Sequence, residues 1–179
     1  MTGIAYDEER NICGLTITNA KGQVYPPFLD LEEQYYIRDV KNGCTASITV
    51  TESLLQTWEI TKEELEKQAV ENMAAEGYSA VALDKILNME PLPESDRMYV
   101  VTNRKGYFGA AIITEPELLA QFAEMLGGEV YILPSSLHEV ILIPVATSHT
   151  PWSLSQIVYE VNRLGMPEEE ILSDSVYYF

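Results

Sequence analysis

Ser135, Ser136, His138 and Glu139 fall within five consecutive positions, and a hydroxyl, an imidazole and a carboxylate are the parts of a serine nucleophile, its base and the acid that orients the base. The alternation of an extended segment opposes that use. Neighbouring side chains on a strand point to opposite faces, so Glu139 is badly placed to orient His138, and no GxSxG elbow surrounds either serine. An orienting acid must come from farther along the chain, with Asp96 and Asp174 as the candidates. No residue is assigned as catalytic on this pattern. Ser135, Ser136 and His138 stand as candidates only, against the alternative of a polar loop whose hydroxyls satisfy main-chain groups.

Other chemistries find less. The histidines, His138 and His149, stand apart with no HExxH-like spacing, so no metal ligands are assigned. Gly106 and Gly109 lack the GxxxxGK[ST] order of a phosphate loop and read as a turn and a strand; no cofactor is expected. Arg104 and Lys105 are an adjacent basic pair at an expected hairpin tip in an acidic chain, and they are candidates for gripping an anionic ligand or an acidic patch. Trp152, at the first turn of an expected helix, is a candidate interface anchor, whereas Trp58 reads as core.

These residues need elements to carry them. A strand is expected over 12–18, a turn over 19–22, a second extended piece from Gln23 to the Pro26-Pro27 pair, a short helix over 29–36, a turn over 41–43 and a strand over 45–50. Thr61 with Glu64 forms a capping box, Ile60 and Leu65 a hydrophobic staple, Leu65, Ala69 and Met73 one helix face, and Gly77 the stop. Thr114 with Glu117 repeats the pattern for a helix stopped by Gly127. Thr150 and Pro151 open a third helix with Leu154, Ile157, Val158, Val161 and Leu164 as its apolar stripe and Gly165 at its end. Two hairpins are expected, one from 98–102 and 107–113 around the turn at 103–106, and one from 129–133 and 139–145. Val140 to Ile143 is continuously apolar, so its strand should be central and covered on both faces. A final short strand is expected over 176–179. The fold class is α+β, mainly antiparallel sheet with packed helices, in ββαββα order in the C-terminal portion. It reads as one domain over 1–179, with an internal linker near 90–95 marked by Pro91 and Pro93.

The 179 residues carry a net charge of -17, a field that repels phosphate backbones and anionic lipid, so neither nucleic acid nor membrane is expected as a partner. The acids come in short clusters such as Asp7-Glu8-Glu9 and Glu168-Glu169-Glu170, which suits a solvated surface. Carboxylates spaced like phosphates would instead make a nucleic-acid mimic. Cys13 and Cys44 lack CxxC spacing and read as free thiols in a reducing compartment. No leader pattern and no apolar run of membrane-spanning length is present, and the location expected is the cytoplasm.

The blocks GCTASITVTESLLQTWEITKEEL, YVVTNRKGYFGAAII, EVYILPSSLHEVILIPV and EEEILSDSVYYF resemble a family of uncharacterised bacterial proteins, carried mainly by Gram-positive gut anaerobes and known only as a domain of unknown function. The resemblance covers most of the chain from Gly43 onward. The block CGLTITNAKGQVYPPFLDLEEQYY is similar to the start of that family, with a shorter stretch before the GCTAS block. The resemblance implies an intracellular α+β protein and brings no activity, cofactor or catalytic residue. The expectation is thus a non-enzymatic protein-interaction domain, self-associating or binding another protein, with a serine hydrolase on Ser135, Ser136 and His138 and an acidic nucleic-acid mimic as its alternatives.

Overall fold

Tyr35, Tyr36, Ile37 and Val40 are strand-favouring types, and in the computed structural model they lie in one long strand, β3 (Leu31–Lys41). The structure describes residues 12–19, 27–28, 30–41, 44–134 and 136–179. β1 (Ile12–Asn19) pairs antiparallel along one edge of β3; β2 (Pro27–Phe28) and β4 (Cys44–Thr49) share the other. The short helix expected over 29–36 is replaced by this strand. Leu31, Glu32, Glu33 and Gln34 suit a helix locally, but a strand paired on both edges and covered on both faces outweighs two helical turns. Leu31, Tyr35 and Ile37 are buried on one face, and Tyr36 and Arg38 on the other. The expected turn at 20–22, the extended piece from Gln23 to Pro26, Asn42, Gly43, Ser135, the acidic cluster at 7–9 and the side chains of Cys13 and Cys44 lie outside the described residues.

After α1 (Glu52–Trp58), local chemistry starts α2 (Lys62–Glu76) where the sequence places it. Thr61 Oγ1 accepts from the Glu64 main-chain N–H at 3.2 Å, and Glu64 Oε2 accepts from the Thr61 N–H at 2.8 Å. Leu65, Ala69 and Met73 are buried against Tyr35, Ile37, Val50 and Leu55. Gly77, at φ 72°, ends the helix in a conformation that favours glycine.

A second sheet follows, built from β5 (Tyr78–Ala82), β6 (Tyr99–Asn103), β7 (Val130–Leu133), β8 (Val140–Pro144) and β9 (Tyr177–Tyr178). Its order is β5-β6-β8-β7-β9, antiparallel throughout. The apolar strand β8 is central, as its composition requires. Val140 and Leu142 face a core closed by α4 (Pro116–Met125), while Ile141 and Ile143 face α5 (Pro151–Leu164). The proline segment expected as a linker belongs to the connection between β5 and β6, which are neighbours in this sheet. That connection begins with a single helical turn, α3 (Leu83–Ile86).

The first expected hairpin does not form. Residues 107–113 turn instead into a 3-10 helix, Gly109–Thr114, because β6 is already paired with β5 on one edge and β8 on the other, leaving no edge for a returning strand. The second capping box is also replaced: Thr114 Oγ1 donates to the Ala111 carbonyl at 2.8 Å, and α4 starts after Glu115 with Pro116 in its first turn. Thr150 caps α5 as expected, with Ser153 completing a box. The buried face of α5 differs from the expected stripe. Leu154, Val158 and Asn162 are buried while Val161 and Leu164 are exposed.

Gly109 is the tightest point: a Cβ there would lie 2.6 Å from the His138 carbonyl oxygen and 2.7 Å from the Asn103 nitrogen. Gly106 has open space but a φ of 62°. Urea denaturation of Gly109→Ala should therefore show a loss of about 3 kcal/mol from overpacking, against about 1 kcal/mol for the left-handed strain of Gly106→Ala. Equal losses would contradict this packing.

Candidate functional site

The turn after β7 begins with hydroxyl chemistry that the backbone consumes. Ser136 is buried; its Oγ accepts from the main-chain N–H of His138 at 3.0 Å, and its own N–H donates to the Glu139 carbonyl at 3.2 Å. This is the local side-chain-to-backbone bonding that serines make in tight connections. The His138 ring is occupied separately. Its Nδ1 accepts from the Phe108 N–H at 3.2 Å, which needs a lone pair on Nδ1 and puts the proton of a neutral ring on Nε2. The ring stacks on Tyr107 at 5.3 Å and on Phe108 at 5.7 Å between centroids. The His138 carbonyl accepts from Thr102 Oγ1 at 2.7 Å. Among the described residues no serine hydroxyl is hydrogen-bonded to this imidazole.

The two candidate acids are engaged elsewhere. Asp96 Oδ1 accepts from the Ser148 N–H at 2.7 Å and from Thr147 Oγ1 at 2.9 Å, bonds that hold its carboxyl below the ordinary range despite some burial. Asp174 pairs with Arg163 at 2.9 Å and accepts from Asn162 Nδ2 at 2.9 Å. Both acids therefore brace loops. His138 does the same work for the corner it occupies: Tyr36 meets Phe108 edge-on at 4.7 Å, and the buried Arg38 lies 5.9 Å over Tyr107, whose hydroxyl shares a 3.0 Å hydrogen bond with Ser47.

Arg104 and Lys105 sit at the tip of a turn closed from within. Asn103 Oδ1 accepts from the Lys105 and Tyr107 N–H groups at 3.1 and 3.2 Å, and Asn103 Nδ2 donates to the Tyr107 carbonyl at 2.7 Å. Lys105 reaches Glu76 at 3.6 Å. Arg104 makes no ion pair among the described residues, and its guanidinium lies beside Gly77.

Trp152 is 72% exposed on α5. Tyr159 and Arg163, seven and eleven positions on, return to the same side of the helix, and the Arg163 guanidinium lies 4.4 Å over the Tyr159 ring. Next to them opens a cleft of about 500 Å³ lined by Asn162, Arg163, Met166, Ile171, Ser173 and Asp174. Asn162 is buried at the wall of this cleft because its amide donates to the Ser173 carbonyl and to Asp174. Sequence reading singled out Trp152 and missed Tyr159 and Arg163, although their spacing from Trp152 on one helix could have joined the three.

Beside the cleft, Asp30 gathers Ser173, Ser175 and Tyr177: the two serine hydroxyls donate to Oδ2 and the phenol to Oδ1 at 2.6 Å. Burial acts to raise the Asp30 carboxyl, and the hydrogen bonds from Ser173 and Tyr177, with smaller ones from its own backbone and Ser175, outweigh it and hold it below the ordinary value. The Tyr177 phenol is pushed up, by burial first and then by the Asp30 carboxylate. Among the described residues, no three His, Cys, Asp or Glu side chains come together as a metal-holding group, and no helix is long and apolar enough to cross a membrane.

A depressed carboxyl stabilises the fold while ionised, so that contribution is present above the unfolded value and is lost as pH falls through the folded one. Wild type should lose stability below the ordinary aspartate value of 3.8 more steeply than Asp30→Asn. Chemical denaturation across acidic pH would measure this, and parallel curves would refute it.

No curated protein and no solved structure gives a significant match to the chain. Residues 20–179 match the model of DUF5688, a family of unknown function, and the chain therefore belongs to that family.

Proposed function

We propose that the protein is a non-enzymatic, cytoplasmic interaction domain that binds another protein through the outer face of α5. The observation that carries this reading is the exposure of Trp152 in line with Tyr159 and Arg163 beside the cleft. Trp, Tyr and Arg are the residue types that dominate binding energy at protein interfaces, and a tryptophan left largely in water is apolar area that a partner can cover. Arg163 is already oriented by Asp174 and Tyr159, which lowers the entropy lost on docking. The use of the Ser136 hydroxyl and of His138 Nδ1 in holding loops supports binding over hydrolysis. The net charge of -17 argues against nucleic acid and anionic membrane as the partner, and cysteines without CxxC spacing support a reducing compartment.

Quantitative affinity capture from native cells should separate wild type from a Trp152→Ala, Tyr159→Ala double variant. Both changes lie on an exposed helix face, so circular dichroism and thermal midpoint should hardly move. At least one protein retained by wild type should fall by about 10-fold or more in the variant, the loss expected for an interface anchor. Identical captured sets would overturn the reading, as would an ester hydrolysis abolished by Ser136→Ala.

A further inference from the structure

A different face carries an inference that does not depend on α5. Strand β5 ends the second sheet and pairs only with β6 among the described residues. Exposed edges are ordinarily guarded by lysine, proline, a bulge or a covering element, because their free N–H and C=O groups recruit another strand. β5 reads Tyr-Ser-Ala-Val-Ala, with no charge and no proline.

The chain leaving β5 adds apolar surface in place of a guard. Of the 13 large apolar residues exposed among the described residues, five lie between positions 81 and 92: Val81, Ile86, Leu87, Met89 and Leu92, each between 43 and 60% exposed. Their backbone is held out by a frame. Asp84, itself buried, accepts from Arg97 Nε at 2.9 Å and from the Leu92 N–H at 3.1 Å. The Met89 N–H donates to the Asp84 carbonyl at 2.8 Å, and the Leu83 N–H to the Met98 carbonyl at 2.8 Å. A framed apolar display is an interface feature.

Charge selects the occupant. Between Gly77 and Pro93 the charged residue types are Asp84, Lys85 and Glu90; Asp84 is buried and paired with Arg97, which leaves Lys85 and Glu90, one exposed residue of each sign. The exposed charged residues of the segment thus balance within a chain of net charge -17. A partner selected for an acidic protein would be basic and would gain nothing here. A two-fold contact sets a patch against itself, so it needs a patch that does not repel itself, and one copy's Lys85 can face the other's Glu90.

We propose that two copies of the chain pair antiparallel through β5 about a two-fold axis, joining their sheets and packing Ile86, Leu87, Met89 and Leu92 across the contact.

Light scattering and sedimentation over a concentration series, with the full chain, test this. Wild type should reach twice the monomer mass of 20.1 kDa, and its β5 amides should exchange more slowly at concentrations where the dimer forms. Val81→Lys and Leu87→Asp each place a like charge twice near the axis on an exposed position, so each should weaken dimerisation by about 10-fold or more, with a thermal midpoint unchanged at concentrations where the wild type is monomeric. Trp152→Ala should leave the mass unchanged. A wild type that stays monomeric at high micromolar concentration overturns the proposal, as does a dimer indifferent to both charge variants. A dimer dissolved by Trp152→Ala overturns it too, moving self-association to α5; loss of β5 pairing leaves the α5 reading untouched.

Discussion

The second sheet and the loops around it depend on one residue that bonds in three directions. His138 accepts a hydroxyl at its carbonyl, donates its N–H to Ser136, and accepts the Phe108 N–H at its ring. Those bonds fix the corner at 107–109 against the end of β6, where Gly109 leaves no room for a side chain. From that corner the aromatic contacts continue to Tyr36 and Arg38 on β3, so the Tyr107 and Phe108 rings stacked on the imidazole link the two sheets. A partly buried polar group of this kind stabilises best while every bond is kept, since a lost partner leaves a partly desolvated donor or acceptor.

The same economy runs through the acidic side chains. Asp30, Asp84 and Asp96 each accept several hydrogen bonds and are held below the ordinary carboxylate range, and each ties a loop to something distant in sequence. Glu33 and Glu115 show the opposite. Burial raises both carboxyls first, and then the charge of neighbouring glutamates does, Glu66 of α2 on Glu33 and Glu33, Glu117 and Glu66 on Glu115.

The exposed faces present other side chains than these bonded polar groups. On α5 these are rings and a guanidinium; along β5 and its connection they are aliphatic side chains on a braced backbone.

How much of this was legible follows from the range of each interaction. Thr61 with Glu64, Thr150 with Pro151, and the stops at Gly77 and Gly165 could be read directly, because a cap is made by residues within one turn of each other. The centre of the sheet was equally plain in the apolar run of β8, which no solvent-facing strand would carry. Residues 29–36 and 107–113 were misread because their fate depends on which strand edges are open, and neighbours in sequence do not report that. Asn162 inside α5 and the stacked His138 had no local signal: the groups that satisfy them lie 11 and 30 residues away. The sequence by itself determined the capped helix starts at Thr61 and Thr150, the buried strand β8 and the net acidic charge, all properties of local composition. The tertiary structure alone decided which groups His138 Nδ1 and Asp96 bond, since the partner a polar atom finds is set by chain segments meeting in space.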